Sequence, residues 1–133
     1  MLQTHTSLHT TTQYVELSLL YMRGLRWSKA SRRLLEALRY IVMREDILDQ
    51  QAKCLYTDLA RLAQCSTDAL LRSLRGEIRS IWEGSSGIFS EIIMRQQSPE
   101  CPSVLTFFSL YAAAFRRGEI QRWIDCAEGS IRL

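Results

Sequence analysis

The stretch LYTDLARLAQCSTDALLRSLRGEIRSIW, Leu55 to Trp82, decides the fold. It reads as a short helix, a tight turn and a longer helix. In the longer helix Arg72, Arg75 and Arg79 recur at i, i+3 and i+7. At about 100° per residue they form one basic stripe. Leu70, Leu71, Leu74, Ile78, Ile81 and Trp82 gather on the other side. Such a helix buries its apolar side and offers the arginines to something negative.

The internal spacing predicts a helix-turn-helix. Ala60 is the small residue needed midway along the first helix, where the second packs close. Four residues on, Gln64 stands where the turn wants a residue tolerant of positive φ; Gly or Asn suits that place better. Cys65 is a small apolar plug. Ser66 is placed to cap the second helix by accepting from its free N–H groups. Asp68 suits the positive end of the helix dipole. Leu70 should point back at Leu59 and Ala60. The second helix of such a motif lies in the DNA major groove, where arginine grips guanine O6 and N7 with two bonds. Arginines on the wet side of a helical hairpin are also ordinary solvated charge, so periodicity alone does not decide.

The same stretch resembles the core of the C-terminal effector domain of the sporulation response regulator, stage 0 sporulation protein A. The LYPDIA-type segment of that bacterial family is matched by Leu55-Tyr56-Thr57-Asp58-Leu59-Ala60. Its two recognition-helix arginines, three apart, are matched by Arg72 and Arg75, and its closing tryptophan by Trp82. Upstream, a Leu-x-Glu-Ala-Ile-type helix is matched by Leu34-Leu35-Glu36-Ala37-Leu38. The match runs without a gap from Ala37 through Trp82 and covers the chain from about Gly24. Order and spacing carry the resemblance, since no single match is specific. Two positions of the family's DNA-reading surface depart from its pattern. Leu71 replaces an acidic residue, and Gly76 replaces a histidine. A changed target, or weaker specificity, follows more naturally than the family's own TGTCGAA-type box.

The resemblance implies a sequence-specific DNA-binding transcription regulator with its recognition helix at about 67–82. Arg72 and Arg75 would reach bases; Arg79 and Lys29 would hold phosphates. Ser66, Thr67 and Asp68 open that helix and Gly76 lies on its reading face, completing the expected DNA-binding set. Family members bind tandem boxes head to tail, which implies a homodimer on double-stranded DNA. In the family, the segment after the recognition helix touches the sigma factor of RNA polymerase, a further implied partner, although residues 86–95 match it poorly. The family joins this domain to a phosphorylated receiver. About ten residues precede the first helix here, so a stand-alone domain is expected, with constitutive binding or control by a partner.

Outward from the core stretch, the chain alternates apolar helices with breakers. Tyr14, Leu17, Leu20 and Tyr21, with Val15, Leu19 and Met22, predict a first helix over 11–23, capped from Thr10 to Thr12. The residues ahead of it form a flexible tail over 1–10. LRWSKA, Leu25 to Ala30, is a basic loop in which Trp27 plugs the core. Ser31 to Arg44 is the second helix, burying Leu34, Leu35, Leu38, Ile41 and Val42, with Glu36 placed for a local pair with Arg39 or Tyr40. Residues 46–53 connect it to the helix-turn-helix, with room for a helical turn. After the Glu83-Gly84-Ser85-Ser86-Gly87 stop comes a short helix over about 86–95, then a proline-bearing linker to Pro102. Ser103 caps a helix apolar nearly all round, running to Phe115, which must sit centrally or face a partner. Arg116-Arg117-Gly118 closes it. A last amphipathic piece, Glu119 to Ala127, docks on the domain or on a second copy.

At 133 residues and 47% apolar, the chain is one folded domain, 11–133, with a single core. No β-branched run alternates, so the expected class is all-α. The architecture is six to seven helices around a helix-turn-helix at about 55–82, of the winged-helix-like, response-regulator effector type. The charge of +3 permits nucleic acid without demanding it. No run approaches the ~18 apolar residues of a membrane span, and no signal peptide is evident. Cys54, Cys65, Cys101 and Cys126 form no C-x-x-C pair and are expected as free buried thiols in a reducing cytoplasm. His5 and His9 lack carboxylate or thiolate company, so no metal, cofactor or hydrolytic triad is expected, and no enzyme. The alternative function is a protein-interaction module that keeps the helix-turn-helix as scaffold. It would associate through the apolar helix 103–115, with Leu71 adding apolar surface beside the basic stripe.

Overall fold

A computed structural model describes residues 9–23, 27–44, 47–49, 52–84 and 100–132. The protein is all-α: α1 (Thr11–Arg23), α2 (Lys29–Val42), a 3-10 turn (Ile47–Asp49), α3 (Ala52–Ala63), α4 (Thr67–Glu83), α5 (Val104–Arg116) and α6 (Glu119–Arg132). No strand occurs among the described residues. The helix expected over 86–95 lies outside them, as do residues 1–8 of the tail.

Short polar side chains set where the helices start. Thr10 and Gln13 form a reciprocal cap on α1: the Gln13 N–H donates to Thr10 Oγ1 at 3.2 Å, and the Thr10 N–H to Gln13 Oε1 at 2.9 Å. Thr10, expected within the tail, is thus part of the α1 cap. Ser28 accepts from the Ser31 N–H, so α2 begins at Lys29, two residues earlier than expected. Ser103 caps α5 in the same way, accepting from the Thr106 N–H at 3.2 Å. Gly118, at φ 76°, turns the chain from α5 into α6.

α5 is the central element. Phe107, Phe108 and Tyr111 are fully buried, and Val104, Ala112, Ala114 and Phe115 are buried beside them. It packs on α2, α4 and α6, while α2 also packs along α4, α1 and α3. Most of the apolar circumference of α5 is thus spent inside the domain, with Leu105 left exposed and Leu110 half-buried. Tyr111 keeps a polar partner there. The Ser18 hydroxyl donates to the Val15 carbonyl at 2.8 Å, so the Tyr111 hydroxyl must be the donor to Ser18 Oγ. Burial pushes the Tyr111 phenol far above its usual range.

α6 docks on α1 and α5. The Tyr14 hydroxyl reaches both Asp125 oxygens, at 2.7 and 3.0 Å. His9 Nε2 lies 2.8 Å from Glu128 Oε1, and its ring stands edge-on to Tyr14. His9 therefore has carboxylate company, which reading the sequence in one dimension did not reveal. Tyr21 and Trp123 make a second edge-on pair. The buried side of α1 is Tyr14, Val15, Ser18, Leu19 and Met22, with Leu17 and Leu20 only half-buried.

Two further expectations are corrected. The cysteines are free but not buried: Cys54 and Cys126 are exposed, and Cys65 and Cys101 half-buried. Val42 is half-buried, and Ser31 and Ala37 take places in the core side of α2. The Glu36–Arg39 pair forms at 3.0 Å on an exposed surface, where it contributes a few tenths of a kcal/mol, about 0.3. No helix of the described residues is long and apolar enough to cross a membrane.

Candidate nucleic-acid interface

α3 and α4 are joined by Gln64, Cys65 and Ser66. Gln64 has φ 57°, the positive value that its position requires. Left-handed backbone costs a non-glycine residue about 1–2 kcal/mol. The turn is held by the Cys65 N–H donating to the Ala60 carbonyl at 3.0 Å. Ser66 Oγ accepts from the Ala69 N–H at 3.1 Å and starts α4. Asp68 lies in the first turn. Leu59, Ala60, Leu70 and Leu74 are all buried, which fixes how the two helices meet.

The opposite side of α4 is open. Arg72, Arg75, Gly76 and Arg79 are exposed, as are Ser66 and Asp68; Thr67 is half-buried. No described carboxylate is ion-paired with Arg72 or Arg75. Arg79 lies 4.0 Å from Glu83, with both side chains more than 60% exposed, a contact that holds neither in place. Leu71 is half-buried and shares a shallow groove with Asp68, Arg72 and Arg75. Seven of the eight expected binding residues thus lie on α4 or its cap. The eighth, Lys29, is exposed at the start of α2.

α4 is locked in rotation by polar contacts that the sequence did not reveal. Glu77 is buried, 7% exposed, on the core side of α4. Its carboxylate accepts from the Ser31 hydroxyl at 2.9 Å, and Ser31 Oγ in turn lies 2.9 Å from Ser28 Oγ. Arg33 Nη1 donates to Ser73 Oγ at 2.9 Å. The start of α2 is therefore tied to the middle of α4 at two points. The one available signal was a carboxylate in an apolar column: Glu77 shares its helical phase with Leu70, Leu74 and Ile81.

Two clefts lie beside α4, the first between the start of α2 and the end of α3, where Arg33 reaches Ser73, and the second against Arg75 and Arg79. One is lined by Trp27, Lys29, Arg32, Arg33 and Gln64, so Trp27 is part wall and part core plug. The other is lined by Tyr56, Arg75, Arg79 and Ser103. Burial raises the Tyr56 hydroxyl above its ordinary range, with the Arg75 charge pulling against that rise.

Gly76 sits in mid-helix with nothing within 4 Å of where a Cβ would lie. Gly76→Ala should stabilise the protein by up to about 1 kcal/mol, read as a higher midpoint in urea. An unchanged or lower midpoint would mean that the glycine meets a need of the folded chain.

Compared with models of protein families, with curated proteins and with solved structures, the chain matches none.

Proposed function

We propose that the protein is a sequence-specific DNA-binding regulator of transcription, with α3 and α4 as a helix-turn-helix and α4 as the recognition helix. One observation carries the reading: α4, tied to α2 at two points, presents Arg72 and Arg75 to solvent, and no described carboxylate is ion-paired with either. Arginine so placed suits bidentate contact with guanine, and its charge draws the helix toward a polyanion. Arg79 and Lys29 then fall to the phosphates, and Ser66, Thr67 and Asp68 to the mouth of the groove. The resemblance of Leu55 to Trp82 to the sporulation effector domain points the same way. It brings with it tandem sites, a second copy and the sigma factor as candidate partners. Leu71 and Gly76 in place of an acid and a histidine predict a different box.

Selection of bound duplexes from random DNA tests this. A consensus containing guanines, lost with Arg72→Ala, is expected. Failure to enrich any sequence overturns the reading.

The second reading is a protein-interaction module. The apolar face of α5, on which it leaned, packs within the domain. Among the described residues, the large apolar side chains left exposed are Met43, Leu62 and, on α5 itself, Leu105. Salt separates the two readings, because counterion release makes DNA binding steeply salt-dependent and an apolar association is not.

A further inference from the structure

We infer that α4 lies between two cationic clefts, each of which takes the phosphate backbone of one strand of the duplex on that helix. The inference rests on the DNA-binding reading and adds to it where each strand runs. With Arg72 as the centre of the exposed side, Ser73 falls about 100° to one flank. Arg75 and Ile78 fall about 60° and 120° to the other. Ser73 accepts from Arg33, so the start of α2 stands on the first flank. Arg75, Ile78 and Arg79 border the cleft shared with Tyr56 and Ser103, which stands on the second. The clefts are therefore on opposite sides of the arginine stripe.

Dimensions make that placement useful. A helix with its side chains is about 10–12 Å across. The major groove is about 12 Å wide. A helix filling the groove brings its flanks against the two phosphate ridges. On the first flank Lys29 and Arg32 are exposed, while Arg33 is pinned to Ser73. The one carboxylate on that rim, Glu36, is paired with Arg39 at 3.0 Å. On the second flank Arg79 is exposed beside Arg75, its contact with Glu83 no closer than 4.0 Å. Tyr56 supplies a neutral hydroxyl that stays protonated at ordinary pH and can donate to a phosphate oxygen. Such contacts fix register and orientation and carry no sequence information.

The full-length chain is titrated with a fluorescent duplex of arbitrary sequence, about two helical turns long, over a series of salt concentrations. Each phosphate contact contributes about 0.9 to the slope of log K against log salt. Lys29→Ala with Arg32→Ala should flatten the slope by about 2, and Arg79→Ala by about 1. Tyr56→Phe should weaken binding about fivefold and leave the slope unchanged, because a neutral donor is lost. Arg61→Ala, an exposed cation on α3 outside both clefts, is the control and should leave the slope as it was. Circular dichroism checks that each variant is folded. The inference is overturned if the lysine and arginine variants of the clefts keep the wild-type slope, if only one flank responds, if Tyr56→Phe leaves affinity as it was, or if Arg61→Ala flattens the slope as much. Those results leave the DNA-binding reading standing. A wild-type chain with no measurable affinity for duplex at low salt ends both.

Discussion

Arg75→Ala is expected to lower affinity for the selected duplex about tenfold or more. A bidentate arginine–guanine pair discriminates by about 1–3 kcal/mol, which spans roughly fivefold to over a hundredfold in Kd. Arg75 is exposed, belongs to no described ion pair and borders both the α4 groove and the Tyr56 cleft. Its loss should remove contacts without disturbing the core, so the thermal midpoint should stay put while binding falls. The loss should also depend on sequence. It should be large on the selected site and small on a duplex with the contacted guanine replaced. Equal losses on both duplexes would make Arg75 a phosphate ligand and move base reading to Arg72. Unchanged binding on both would remove α4 as the reading element.

Phe107→Ala should lower the stability of the domain by about 3–5 kcal/mol, the usual cost of emptying a buried aromatic site. Phe107 is fully buried, and its ring stacks on that of Tyr111, 6.2 Å away between centroids. For a domain of this length the thermal midpoint should fall by roughly 10–20 °C. Leu105→Ala on the same helix is the comparison, since Leu105 is 37% exposed. It should shift stability by no more than about 0.5 kcal/mol. Similar losses for the two would mean that α5 does not bury the face described here.

Much of this architecture was legible before any coordinates. α1 spans the residues that its apolar spacing marks out. Gln64 adopts the positive φ that its place between two helices demands, and Ser66 and Ser103 cap the helices they precede. These features are local: a helix period or a cap is decided by residues three or four apart. The contacts that orient α4 are not local. Ser31 and Glu77 are 46 positions apart, and His9 and Glu128 are 119 apart. Nothing in one strand of text pairs a serine with a glutamate at such a distance. The arginine stripe was readable for the same reason as the helices. The flanking clefts were not, because each is assembled from elements far apart in the chain. α2 started early because Ser28, in a stretch read as loop, reaches its own helix before Ser31 does.

Gln64 has one more consequence. A glutamine resists the left-handed backbone that it is made to hold, so the bend between α3 and α4 is not prescribed by the residue at its apex. The side chains meeting below it, Leu59, Ala60, Leu70 and Leu74, dictate the aperture of the hairpin. An engineer can therefore exchange the apex for glycine or asparagine and keep the same opening, whereas enlarging Ala60 would pry the two rods apart and change how any elongated ligand fits against them.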